Sequence, residues 1–244
     1  MMNNVILITG GTSGLGLEMA KRFTGLGSQV IICSRNPEKL EETRKLVPGV
    51  EVYRCDISNE AERLQLHCHI MEHFPKLNVL INNAAIVYKA DFLNDEESYR
   101  KALEEINTNL IGPIHLSRLF LSHLVTQPDA ALINITTGLV YVPRSVYPIY
   151  NATKSALHSF TRVLRHQLQD KPVKVIEVLF PVVDTPWHGG TPPKIAISPE
   201  KAIDEMMTGL DKHKTEIRIA GVKKLYLLSR LFPRLAFRII NTLR

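Results

Sequence analysis

Within residues 137–154, TGLVYVPRSVYPIYNATK, a phenol at Tyr150 and an ammonium at Lys154 stand four residues apart. On a helix that spacing puts both side chains on one face. A lysine held beside a tyrosine favours the phenolate and draws down a pKa whose reference value is about 10. Such a phenol can both give and take a proton. Thr137 adds a hydroxyl at the start of the same stretch. A tyrosine and a lysine at this spacing also occur as an ordinary helix pair, so the rest of the chain must say what the proton is for.

The elements that would position these groups begin at residues 5–8, VILI, a continuous apolar run that predicts a strand buried on both faces of a parallel sheet. The turn TGGTSGLG follows at residues 9–16, and then a helix with Leu17, Ala20 and Phe23 at helical spacing. Strand, glycine-rich turn and helix together make a phosphate cradle. The glycines admit backbone close to a ligand, and the helix N-terminus offers free N–H groups and a positive dipole end. No Gly-Lys-Ser/Thr follows, which argues against a nucleotide-hydrolysing P-loop. A second strand, residues 29–33, ends at Ser34-Arg35-Asn36. An acidic residue there would take the ribose 2′-hydroxyl of a dinucleotide and repel a 2′-phosphate. Ser34 is neutral, and Arg35 can pair with phosphate and stack on adenine. The pattern favours NADP(H) over NAD(H) and departs from the usual methyltransferase arrangement.

Asn36-Pro37 reads as the N-cap and first residue of a helix running through Leu46. A third strand, residues 50–54, leads to Asp56-Ile57, and Asn59 with Glu62 marks a further helix start. That helix carries His67, His69 and His73. A metal would need further ligands, so solvated histidines and no metal site are expected. A fourth strand, residues 78–81, ends in Asn82-Asn83-Ala84-Ala85, where small residues permit close approach of a ligand or a helix. Asn109 falls inside a long helical stretch, where a capping or surface role and a catalytic one both stand. A fifth strand, residues 131–136, runs into Thr137, and a helix is expected from Tyr150 to about Gln169. After a sixth strand, residues 173–179, come Phe180-Pro181-Val182-Val183-Asp184-Thr185 and a Pro/Gly-rich segment with Trp187, read as a lid or a plain connector. Ser198-Pro199-Glu200 opens a helix, and residues 216–220 form a short last strand.

Strand and helix alternate without a linker, which predicts one domain over residues 1–244. Its architecture is a Rossmann-type, doubly wound α/β fold with a parallel sheet of about seven strands and helices on both faces. The glycine turn, Arg35, Asn82 and Thr137 all follow strands, so they gather on the carboxyl edge, where such sheets bind ligands. Three unpaired cysteines without a CxxC fit a reducing, cytoplasmic setting. The first strand begins by Val5, so no signal peptide is expected, and no apolar run is long enough to span a membrane. A net charge of +6 chooses no partner by itself. Apart from the C-terminal stretch the basic residues are scattered and carry no nucleic-acid recognition motif.

TGGTSGLG, the strand-end NNAA, Asn109 in NLIG and Tyr150-xxx-Lys154, in that order and spacing, resemble a classical short-chain dehydrogenase/reductase over nearly the whole chain. The segments NITTGLVYVP and YNATKSALHSFTRVLRHQL, with the basic C-terminus, are most similar to the DltE-type oxidoreductase subgroup. The resemblance implies hydride transfer between NADP(H) and a carbonyl or alcohol. Tyr150 would be the acid or base, Lys154 would hold the nicotinamide ribose and lower the phenol pKa, and Thr137 would bond the substrate oxygen. Asn109 would hold a water that links Lys154 to solvent. Gly10, Gly14 and Gly16, with Thr12, Ser13 and Leu15 in the same turn, would face the pyrophosphate. Ser34 and Arg35 would meet the adenosine phosphate, Asp56 and Ile57 would flank adenine, and Asn82 with Ala84 would sit by the ribose. Val183 and Thr185 fit the nicotinamide positions. The chain departs from the family at Thr137, where serine is usual, at NNAA, and at Phe180-Pro181.

The apolar stretch Leu139-Val140-Tyr141-Val142, with Tyr147 and Trp187, predicts a substrate wall for an apolar ketone or aldehyde. An NADP(H)-binding sensor or scaffold on the same fold is the competing reading. In residues 222–244, Arg230, Arg234 and Arg238 recur at four-residue steps beside Leu227, Leu231, Leu235 and Ile239, interrupted by Pro233. That pattern serves either an anionic membrane surface or packing on the body or a second subunit, as in a homodimer or homotetramer.

Overall fold

A computed structural model describes residues 3–242. Seven strands form one sheet: β1 (Val5–Thr9), β2 (Gln29–Ser34), β3 (Glu51–Arg54), β4 (Val79–Asn82), β5 (Ala130–Thr137), β6 (Val173–Phe180) and β7 (Glu216–Arg218). All pairings are parallel, in the order β3-β2-β1-β4-β5-β6-β7. The order reverses between β1 and β4, which opens a crevice at their carboxyl ends. The helices are α1 (Gly14–Gly25), α2 (Pro37–Leu46), α3 (Glu60–His73), α4 (Ser98–Ile106), α5 (Gly112–Leu124), α6 (Pro148–Gln167), α7 (Pro199–Asp211), α8 (Val222–Leu231) and α9 (Pro233–Thr242).

Alternation along the strands divides the core in two. Ile6 and Ile8 join Met19 and Phe23 of α1 and Met206 of α7 on one face. Leu7 joins Leu66 of α3, Phe120 of α5 and Leu164 of α6 on the other. The predicted caps form: Asn36, Asn59 and Ser198 accept from the N–H groups of Lys39, Glu62 and Lys201. Pro37 and Pro199 open α2 and α7. Three details differ from expectation. β7 stops at Arg218, because Ala220 turns to φ +45°. The helix from Pro148 ends at Gln167. Asn109 sits in a widened π-turn, Asn107–Ile111, between α4 and α5, a local expansion often found beside functional sites.

Candidate active site

A cavity of about 1090 Å³ runs along the carboxyl edge of the sheet. Its lining includes Gly10, Thr12, Ser13, Gly14, Leu15 and Gly16 from the first turn, and Ser34, Arg35, Asp56 and Ile57 beyond β2 and β3. Ala84 follows β4, Thr137 ends β5, Tyr150 and Lys154 come from α6, and Val183 and Thr185 follow β6. Asn82 and Asn109 are not in the lining.

The first turn is packed too closely for side chains at two of its glycines. Gly10 has φ +68°, and a Cβ there would sit 2.8 Å from the Cα of Ala84. A Cβ on Gly16 would lie 2.1 Å from the Gly10 carbonyl oxygen, so a side chain at either place would push the turn apart. A Cβ on Gly14 would meet the Thr185 methyl at 3.0 Å. The side chain that clamps the turn is Asn83, whose Nδ2 donates to the carbonyls of Thr9 (2.9 Å) and Gly10 (3.1 Å). Thr9 Oγ1 accepts from the N–H groups of both Asn83 and Ala84. Asn82 points the other way, as alternate strand residues must, and donates to Asn134 and Ser117 beneath the sheet. Ala85, the last residue of NNAA, also lines the cavity.

At the other end of the cavity Tyr150 and Lys154 leave α6 on one face, with Nζ 6.0 Å from the centre of the phenol ring. Nζ donates to the Ile135 carbonyl at 2.9 Å. The Thr137 hydroxyl, which accepts from the Leu139 N–H at 3.3 Å, lies beside the Tyr150 phenol and favours the phenolate. Burial and the nearby Glu105 carboxylate work against it, and the phenol is pushed up to about 12. The expected lowering by Lys154 is therefore not the balance in this structure. The lysine is itself desolvated and falls to about 8, with Glu177 opposing that fall. Glu177 is fully buried on β6, accepting from Thr136 Oγ1 at 2.6 Å and facing His158 Nδ1 at 2.9 Å. Glu105 is also buried, accepts from the Tyr88 N–H at 2.8 Å, and is raised to about 7 by burial.

Asn109 is fully buried and its amide is committed: Oδ1 accepts from the Ile86 N–H and Nδ2 donates to the Ile86 carbonyl. A longer bond reaches Thr153 Oγ1 at 3.4 Å, next to Lys154. Its side chain thus ties the loop after β4 to α6 rather than facing the cavity. Phe180, paired in register with Thr137, is buried in the core and forms cavity floor. Above it, Trp187 donates to the Val87 carbonyl at 3.4 Å and meets the Tyr147 ring edge to face at 5.7 Å, so the Pro/Gly-rich segment reaches across the cavity.

A sequence profile of the family described as short chain dehydrogenase matches residues 4–195. The chain belongs to that family. An uncharacterized oxidoreductase named DltE, from Bacillus subtilis (strain 168), is 42% identical over 91% of this chain and 92% of its own length. A fatty acyl-CoA reductase of Acinetobacter baylyi is 28% identical over 87% of this chain and 75% of its own length. Among solved structures, a short chain dehydrogenase from Burkholderia cenocepacia in complex with NADP superposes with a TM-score of 0.85, covering 99% of this chain and 98% of the other at 24% identity. One from Burkholderia phymatum in complex with NAD also reaches 0.85, covering 100% and 97% at 19% identity, a likeness of fold.

As a short-chain dehydrogenase the chain is an oxidoreductase, and the glycine turn, the end of NNAA and the Tyr150-xxx-Lys154 pair line one cavity, whereas Asn109 does not. Of the predicted substrate wall, Leu139, Tyr147 and Trp187 line it. Val140, Tyr141 and Val142 do not, and Tyr141 instead donates to Glu216 on β7. Val146, Val222, Leu225 and Ile240 complete the apolar wall, the last three from the C-terminal helices. Glu105 and Glu177 escaped sequence reasoning, although each carried a signal. Glu105 interrupts the buried stripe Ala102–Glu105–Asn109, and Glu177 is a charge inside the apolar strand VKVIEVLF. A carboxylate at a buried position demands a partner or a purpose. The three histidines of α3 belong to no group able to hold a metal among the described residues.

Proposed function

We propose that the chain is an NADPH-dependent reductase of apolar ketones or aldehydes, running also in reverse on the alcohols. The observation that carries this reading is the joining, in one cavity, of a glycine cradle at one end and the Thr137–Tyr150–Lys154 group at the other. The cradle fits a dinucleotide, because its tightly packed glycine turn lines the cavity and leads into the N-terminus of α1, whose free N–H groups suit a pyrophosphate. Gly14, Leu15, Thr12 and Ser13 would hold the phosphates, Asp56 and Ile57 the adenine, and Lys154, Val183 and Thr185 the nicotinamide end. When bound, the nicotinamide supplies or accepts the hydride. Tyr150 gives its phenol proton to the carbonyl oxygen in reduction and takes it back from the alcohol in oxidation. Thr137 bonds that same oxygen, and Asn109 positions the loop and helix around them.

Arg35 and Ser34 line the cavity, no acidic side chain precedes them on β2, and Thr12 Oγ1 lies 3.3 Å from Ser34 Oγ. These features support NADP(H) over NAD(H). Arg35→Ala is expected to weaken NADPH binding by about 10- to 100-fold, the loss of one charge-assisted contact, and to leave NADH binding unchanged. Fluorescence titration of both nucleotides measures this, and an equal effect on the two would remove Arg35 from the 2′-phosphate. Thr137→Ala is expected to cut kcat about a hundredfold, as loss of an oxyanion donor does, whereas Thr137→Ser retains it within a few-fold. A Thr137→Ala enzyme with unchanged kcat would show that the hydroxyl has no part in the reaction.

The name of the Acinetobacter relative and the apolar lining agree on a lipophilic substrate. We place the protein in the cytoplasm, as one domain, assembled as a homodimer or homotetramer. Exposed Ile111 and Val163 offer apolar contact for assembly, which light scattering would weigh.

A further inference from the structure

No described helix is long and apolar enough to cross a membrane. Even so, α8 and α9 carry an unusual surface. Leu227, Leu231, Phe232, Leu235, Phe237 and Ile239 are between 39% and 69% exposed, all within one short stretch of chain. The most exposed of them, Leu231, and its neighbour Phe232 form the elbow where Pro233 ends one helix and starts the next. From residue 222 onward the sequence contains no Asp or Glu, but it contains Lys223, Lys224, Arg230, Arg234, Arg238 and Arg244. Among the described residues, none of the first five forms an ion pair.

We propose that α8 and α9 dock the protein on an anionic lipid bilayer, with the Leu231–Phe232 elbow entering the headgroup layer. Only one kind of occupant satisfies both features. A second copy meeting the same face about a two-fold axis would bring the cations of one copy against those of the other, which is unfavourable. A nucleic acid would answer the cations and leave the large apolar side chains in water. An anionic bilayer answers the cations at its surface and buries the apolar side chains just beneath, as interfacial amphipathic helices do.

The same helices also wall the cavity. Val222 and Leu225 of α8 and Ile240 of α9 line it, while Ile239 faces outward. Asn241 fastens the end of α9 to the loop before α6, donating to the Pro143 carbonyl at 3.1 Å and accepting from the Ser145 N–H. A docked protein therefore holds its apolar substrate wall next to the lipid. The consequence for substrate, a lipophilic carbonyl drawn from the bilayer, rests on the reductase reading; the docking itself does not.

The test is co-sedimentation of the full chain with extruded vesicles of phosphatidylcholine alone or mixed equally with phosphatidylglycerol. The wild type should pellet with the anionic vesicles at about 50 mM NaCl, release at about 500 mM, and stay in solution with neutral ones. The triple variant Arg230→Gln, Arg234→Gln, Arg238→Gln should lose about a hundredfold in partitioning, three surface charges being removed. The double variant Leu231→Ser, Phe232→Ser should also be released. Unchanged nucleotide binding and circular dichroism would show that both variants are folded, and the salt arms with wild type stand without them. Tyr150→Phe protein should pellet like wild type, which separates docking from catalysis. Absence of pelleting, or equal pelleting with both vesicle types, would overturn the proposal. So would a dimer by light scattering that the Leu231/Phe232 variant abolishes, since the face would then belong to a second copy.

Discussion

Tyr150→Phe protein should bind NADPH as the wild type does and reduce its carbonyl substrate about a thousandfold more slowly. The phenylalanine keeps the ring that lines the cavity and removes only the hydroxyl beside Thr137. The glycine turn, Arg35 and the adenine positions are untouched, so affinity for the nucleotide has no reason to fall. What is lost is the positioned proton, and general acids of this kind contribute about 10²- to 10⁴-fold. The high phenol pKa also sets a pH signature. With Tyr150 at about 12 the acid form is present throughout the neutral range, so reduction should not fall there through loss of the phenol proton. Oxidation needs the phenolate and should rise with pH, the more so because the burial that disfavours the phenolate must be overcome. Stopped-flow measurement of hydride transfer in both directions reads this. Turnover within tenfold of wild type would remove Tyr150 from the chemistry. Loss of NADPH binding together with turnover would make it a cofactor-positioning residue instead.

Lys154→Met should destroy activity and stabilise the protein. The ammonium is almost fully buried, and its pKa falls from 10.5 to about 8 because burial disfavours the charged form. In the folded chain the charged lysine is therefore a cost. Between these two pKa values the unfolded chain binds more protons, so this residue makes stability rise with pH across that window. Below about pH 8 the full penalty is present, roughly 3 kcal/mol, and above about 10.5 it is absent. Methionine removes the penalty while nearly conserving volume. It also gives up the bond to Ile135, which trims the gain to about 1–2 kcal/mol. In a chain of this size that corresponds to a rise in Tm of roughly 2–8 °C for the nucleotide-free protein near pH 7. The difference should close as the pH approaches about 10.5. A variant less stable than wild type at neutral pH, or a gap that does not narrow with pH, would show that Lys154 is held charged at no cost.

The periodicity of the chain carried most of the fold, and for identifiable reasons. The strands of a doubly wound sheet are covered on both faces, so VILI and VLI read as unbroken apolar runs. The caps at Asn36, Asn59 and Ser198 are local chemistry and form where the sequence places them. The site was legible at the level of which segment reaches the cavity, less so at the level of which side chain does. Asn82 and Asn83 are chemically identical, and only the alternation at the end of β4 decides that Asn82 bonds beneath the sheet while Asn83 clamps the glycine turn. Tyr141 falls in an apolar stretch near the site, yet Arg218 and Glu216 on β7 capture its hydroxyl. Those partners are some 75 residues away in sequence, beyond any local pattern. The balance of forces on the Tyr150 proton was likewise out of reach. It depends first on burial of the phenol and then on Glu105, a buried carboxylate of α4 that only the folded chain brings near it.

The central claim is hydride transfer from NADPH to an apolar carbonyl, with the proton from Tyr150. Its most direct test is to incubate the full-length protein with NADPH, and in parallel with NADH, against a panel of apolar ketones and aldehydes, following loss of the reduced nicotinamide. NADPH should be oxidised with at least one apolar carbonyl, more slowly with NADH in its place, and about a thousandfold more slowly by Tyr150→Phe protein. Tight NADPH binding with no oxidation across the whole panel would contradict it and assign the protein to nucleotide sensing or scaffolding.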